Sequence, residues 1–224
     1  MTQRVTFPAS TGEASGVLFT PTQEGRRPGV VVIHEWWGVN EQIQSTAQKW
    51  QSEGFVVIVP DLYHGKVVPI GKTEEASAAM KNLDFGRAVQ ELAGAIALLK
   101  DHPRCNGKIA VTGYCMGGAL ALATAATVPG LAAVVSFYGL PPSADWSRVD
   151  APVMAHVATE DDWVTVDGAK QVQQALAKHK RLMELHVYEA KHAFCNDQRP
   201  DVYNASACAQ AWQRTVQFVR DLSA

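Results

Sequence analysis

Five short apolar runs punctuate the chain, at residues 30–33, 55–59, 109–112, 132–137 and 153–157, each ending in a polar or glycine-containing turn. Runs that are apolar at every position, not alternately, predict strands buried on both faces. Between them apolar residues recur at helical spacing, predicting helices over 41–53, 85–100, 116–127 and 166–179, with a last one over 205–222. Strand alternating with helix implies a mostly parallel sheet covered by helices on both sides, an α/β fold. Residues 16–20 and 183–188 are further strand candidates. The second alternates in polarity and therefore belongs near an edge of the sheet. The connection over 64–81 passes from glycines and prolines into Glu74-Glu75-Ala76-Ser77-Ala78-Ala79-Met80, which reads either as a short helix in a mobile cap or as an ordinary surface excursion. There is no internal repeat or low-complexity segment.

The 224 residues suit a single domain spanning 1–224, large enough to bury roughly 70% of its unfolded surface. A formal net charge of -2 supplies neither a basic stripe for nucleic acid nor an acidic tail. The N-terminal residues lack the apolar core of a leader and no run has the length of a membrane span, so a cytoplasmic monomer acting on small molecules is expected. The four cysteines, Cys105, Cys115, Cys195 and Cys208, show no Cys-x-x-Cys spacing and are too few to staple a domain of this size. A reducing compartment is expected, with Cys105 and Cys208 in structural roles.

Gly113-Tyr114-Cys115-Met116-Gly117-Gly118 joins a predicted strand to a predicted helix and has the form of a nucleophile elbow, with cysteine where most carry serine. Glycines two before and two after the nucleophile allow the sharp turn that lifts its side chain above the sheet. At a helix N-terminus the free amides and the dipole favour a thiolate. The competing interpretation is a tight turn around a small buried thiol. A catalytic thiol needs a base, and His192 follows the last strand candidate, at the sheet's C-terminal edge. The acidic loop Glu160-Asp161-Asp162-Trp163-Val164 follows the strand over 153–157 and opens at the same edge. Asp161 is chosen as the orienting acid, with Trp163 and Val164 anchoring the loop behind it, and Glu160 and Asp162 are left as solvated or capping residues. The chain order nucleophile, acid, histidine is that of α/β-hydrolases.

His34-Glu35-Trp36-Trp37-Gly38-Val39-Asn40 follows the strand over 30–33, where such folds place part of the oxyanion hole. The backbone N–H groups of Trp36 and Met116 are the candidate donors, one such donor being worth about 2.7–4 kcal/mol. Glu35 would compete with Asp161 for the imidazole, hold the thiol neutral, or point to water.

On these residues, together with Pro60-Asp61-Leu62-Tyr63 and His192-Ala193-Phe194 through Tyr203, the chain resembles the dienelactone hydrolase (carboxymethylenebutenolidase) family of the α/β-hydrolase superfamily over nearly its whole length. The resemblance implies a Cys115–His192–Asp161 triad, with Glu35 as a switch that is displaced by substrate and takes the thiol proton. It implies a small lactone or activated ester as substrate, no metal and no cofactor. Where the family carries a carboxylate-binding arginine, four residues beyond the histidine, this chain has Asn196. Arg199 is the candidate substitute, and the only cations over 63–81 are Lys66, Lys72 and Lys81. Trp37, Tyr63, Tyr138 and Phe194 are candidate pocket residues. A thioesterase or acyltransferase on the same residues, and a redox sensor using Cys115 alone, are the alternatives.

Overall fold

A computed structural model describes residues 1–223. Eight strands, β1 (Thr2–Ala9), β2 (Gly12–Phe19), β3 (Arg27–Ile33), β4 (Val56–Pro60), β5 (Cys105–Tyr114), β6 (Ala133–Phe137), β7 (Val153–Glu160) and β8 (Met183–Lys191), form one sheet in the order β1-β2-β4-β3-β5-β6-β7-β8. β3 to β8 run parallel; β1 and β2 are antiparallel additions at one edge. All five predicted central strands are present. β8, the strand with alternating polarity, is the other edge.

Successive residues of the central strands feed opposite faces of the sheet. Val31, Ile33 and Val111 join a core built with α3 (Phe85–Asp101), α4 (Met116–Ala125) and Leu176 of α5 (Val166–Lys178). Val30, Val32 and Ala110 join a second core with Ile43 and Trp50 of α1 (Glu41–Ser52) and Ala211, Val216 and Val219 of α6 (Ala205–Ser223). Period-two alternation between two apolar faces is why these strands read as unbroken hydrophobic runs. α1 starts cleanly because the Asn40 side chain accepts from the Ile43 N–H.

Two elements differ from the sequence reading. β1 was not expected: of its eight residues only Phe7 is buried, so it carries no apolar run. The connection over 64–81 contains α2 (Thr73–Lys81), whose Ala76 packs with Val68 against Trp37. It is tied to the Trp36-Trp37 turn instead of looping outward. Among the described residues no helix is long and apolar enough to cross a membrane.

Candidate active site

The C-terminal ends of β3, β5, β7 and β8 converge on one cavity of about 630 Å³. At its base the chain turns from β5 into α4 through Cys115, whose backbone adopts φ 56° and ψ −119°. A non-glycine residue in this region costs on the order of 1–3 kcal/mol and persists only where its surroundings impose it. The flanking glycines leave room for it. A Cβ on Gly113 would run into the Gly117 carbonyl, and one on Gly117 would lie 2.5 Å from the Ile33 carbonyl oxygen. The Cys115 N–H is in turn held by the Phe137 carbonyl at 2.9 Å. Tyr138 and Ala193, also at the site, have positive φ as well, 40° and 63°.

His192 Nε2 lies 3.1 Å from Cys115 Sγ, and its Nδ1 donates to Asp161 Oδ2 at 2.7 Å. The other oxygen of Asp161 accepts from the Trp163 and Val164 N–H groups at 2.8 and 2.9 Å. Three donors thus fix one carboxylate. Burial disfavours charge on His192, but the bonds to Asp161 and then to Cys115 outweigh it and push its pKa to about 10. Burial is the largest influence on the Asp161 carboxyl and would raise it, yet the hydrogen bond and charge of His192 together with the Val164 and Trp163 N–H groups outweigh it and hold the pKa below its usual value.

Glu35 is 3% exposed and does not reach water. Its Oε1 accepts from the Tyr138 hydroxyl at 3.1 Å and its Oε2 from the Asn196 amide at 2.8 Å. Burial pushes its pKa up, against the opposing pull of Asn196, His192 and Tyr138. The thiol's partner is the imidazole and the carboxyl's partners are neutral donors, so Glu35 is hydrogen-bonded to neither the sulfur nor Asp161. Met116, as the first residue of α4, has no intrahelical acceptor for its N–H, and no carbonyl or side chain among the described residues accepts from Trp36 N–H.

Of the six side chains expected to shape the pocket, only Arg199 lines the cavity. Tyr138, Phe194 and Asn196 are fully buried and Trp37 is 1% exposed, so all four support the walls from behind. Tyr63 directs its hydroxyl at the Met116 sulfur, outside the cavity. Residue type marks an aromatic as large and apolar and does not say whether core or ligand covers it. Conversely, Thr73, Lys191, Val202 and Trp163 line the cavity without having been expected there. Adjacency to His192 and Asp161 was the available signal for Lys191 and Trp163. Trp163 is also no buried anchor: it is 60% exposed, and Val164 alone is buried in that pair.

The cysteines are not all unpaired, as their spacing had suggested. Cys195 and Cys208 form a disulfide, leaving Cys105, buried, and Cys115 as free thiols. The segment after His192 folds back onto the first turn of α6 and brings their Cα atoms to 4.9 Å, a closeness that a spacing of 13 residues does not advertise.

A family model described as the dienelactone hydrolase family matches residues 14–223. Similar chains include Protein usf of Aquifex pyrophilus, 32% identical with 99% of each chain covered, and a carboxymethylenebutenolidase of Pseudomonas sp., 30% identical with 98% of this chain and 95% of that one covered. Among solved structures, a dienelactone hydrolase-like promiscuous phosphotriesterase from metagenomic libraries superposes with a TM-score of 0.88 at 24% identity, covering 100% of this chain and 99% of its own. The eight-stranded, mostly parallel sheet, the extent of the family match and these full-length similarities lead to one assignment: the chain belongs to the dienelactone hydrolase family of α/β-hydrolases, enzymes of the lactone- and ester-hydrolysing class.

Proposed function

We propose that Cys115, His192 and Asp161 act as a catalytic triad that opens a small lactone or cleaves an activated ester through a thioester intermediate. The observation that carries this reading is the unbroken line from Asp161 Oδ2 through His192 to Cys115 Sγ, 2.7 and 3.1 Å, at the floor of a cavity. The Cys115 thiolate, paired with protonated His192, attacks the carbonyl carbon and forms the C–S bond. The Trp36 and Met116 N–H groups donate to the oxyanion. As the C–O bond breaks, His192 Nε2–H gives its proton to the leaving oxygen. Water then attacks the thioester, His192 takes its proton, and the thiolate departs.

Before that attack, as substrate binds, the Glu35 carboxylate takes the proton of the Cys115 thiol and so leaves the thiolate beside an already protonated His192; Glu35 returns this proton to the thiolate after deacylation, and its raised pKa suits a buried carboxyl that is neutral in between. The cavity mixes Lys191 and Arg199 with Glu160 and Asp162, and Arg199 is engaged by Asp201 at 2.6 Å. A neutral lactone or ester fits such a balance better than a dianion would.

Turnover of a panel of enol lactones and aryl esters tests the reading. Cys115→Ala is expected to abolish it, and Asp161→Asn to lower kcat by about 10²–10⁴-fold by leaving the imidazole in the wrong tautomer. Undiminished turnover in Asp161→Asn would refute the triad.

A further inference from the structure

Of the six tryptophans in the chain, Trp163 alone is more than half exposed, and it stands at the mouth of the catalytic cavity. Its ring lies nearly parallel to the His192 imidazole, 6.1 Å between centroids at 30°, and meets Trp36 edge-on at 5.5 Å and 81°. Tyr138 also packs edge-on against the imidazole, at 5.3 Å and 62°. The position is rigid, because Asp161 Oδ1 holds the Trp163 N–H at 2.8 Å and the buried Val164 follows. A large apolar ring, fixed but uncovered and surrounded by charged lining residues, is a surface that gains when a ligand covers it.

Geometry also says which part of the ligand covers it. His192 Nε2 must deliver its proton to the leaving oxygen, so the group attached to that oxygen lies beside the imidazole, where Trp163 forms the flanking wall. The acyl carbonyl is committed instead to the Trp36 and Met116 amides. Resting on the hydrolase reading above, we infer that Trp163, with Trp36 at its edge, is a specificity-determining platform that stacks a planar unsaturated group carried on the leaving oxygen, an aryl ring or the enol portion of an unsaturated lactone. Trp163 touches substrate and is not needed for the proton relay.

Two acetates separate this role from a structural one, because 4-nitrophenyl acetate and 2,2,2-trifluoroethyl acetate produce the same acetyl-enzyme and differ only in the departing group. Trp163→Ala keeps the backbone N–H that bonds Asp161. It is expected to lower kcat/KM for the aryl acetate by about 5–10-fold and to change that for the trifluoroethyl ester by less than about twofold, with Trp163→Phe restoring most of the aryl preference. Equal losses on both esters, with a shifted pH profile, would show that Trp163 merely positions His192 and would overturn the inference. Retained preference in Trp163→Ala would overturn it too. Wild-type turnover of both esters no faster than Cys115→Ala would remove the hydrolase reading itself, an outcome readable before any Trp163 variant is made.

Discussion

At the residue scale, the site is governed by which groups share protons. His192 is held by a carboxylate on one nitrogen and a sulfur on the other, which raises its pKa to about 10. The cationic form therefore persists through neutral pH, and kcat/KM is expected to fall only as pH rises through the region of 10. Glu35 faces two neutral donors where the family pattern has a cation four residues beyond the histidine, now Asn196. Asn196→Asp would set a second carboxyl 2.8 Å from Glu35 Oε2. Two carboxyls at that distance cannot both ionise, so Glu35 would stay protonated to higher pH. If Glu35 must be ionised to receive the thiol proton, the acidic limb of the kcat/KM profile moves up by about one unit or more, while the alkaline limb stays where His192 sets it. An unmoved acidic limb would show that Glu35 takes no proton in the cycle.

Among elements, the connection from β8 to α6 does the most positioning. It carries His192 at its start, Asn196 against Glu35, and Arg199 in the cavity wall, and it ends at Asn204, whose side chain accepts from the Ala207 N–H at the start of α6. The Cys195–Cys208 disulfide ties the early part of this connection to the first turn of α6. Closing a loop of this size stabilises by about 3 kcal/mol in the chain-entropy account, so reduction is expected to lower the urea midpoint clearly. Thiol titration gives the direct check: one fast-reacting thiol in the native protein, Cys115; two on unfolding, when Cys105 is released; four after reduction. Four thiols without reductant would eliminate the bond. This loop also marks the limit of what the sequence discloses. The strands were legible because burial on both faces forces unbroken apolar runs, and Cys115, Asp161 and His192 because an elbow and two strand ends confine where such residues can stand. The disulfide, and the burial of Tyr138, Phe194 and Asn196, depend on how an irregular segment folds back, and no periodicity records that.

For the whole molecule, the most consequential buried charge question lies away from the catalytic residues, where β7, β8 and α6 meet. His156 of β7 is fully buried; its Nδ1 pairs with the Tyr188 hydroxyl at 2.9 Å and its Nε2 with Thr215 Oγ1 at 2.8 Å. Arg214 donates to the Tyr188 oxygen at 2.9 Å, which leaves the Tyr188 O–H to donate to Nδ1 and Nε2–H to donate to Thr215. Adding a proton at Nδ1 breaks the Tyr188 bond and puts a cation beside Arg214 and His186. Burial first, then His186 and Arg214, accordingly hold its pKa well below that of a free histidine. The unfolded chain, with an ordinary histidine, binds the proton that the native state refuses. Stability from this group is thus fully present above a pH of about 6.5 and is lost as pH falls below it, with a slope of up to about 1.4 kcal/mol per pH unit for one proton. Urea unfolding of wild type and His156→Gln across pH 7.5 to 5 isolates that contribution. The variant is expected to be less stable at neutral pH, having lost a two-bonded core residue, and to show the shallower acid slope by about one proton. Parallel slopes would mean that native His156 takes up its proton as readily as the unfolded chain does, and the junction of β7, β8 and α6 would then not depend on a neutral hydrogen-bonded ring.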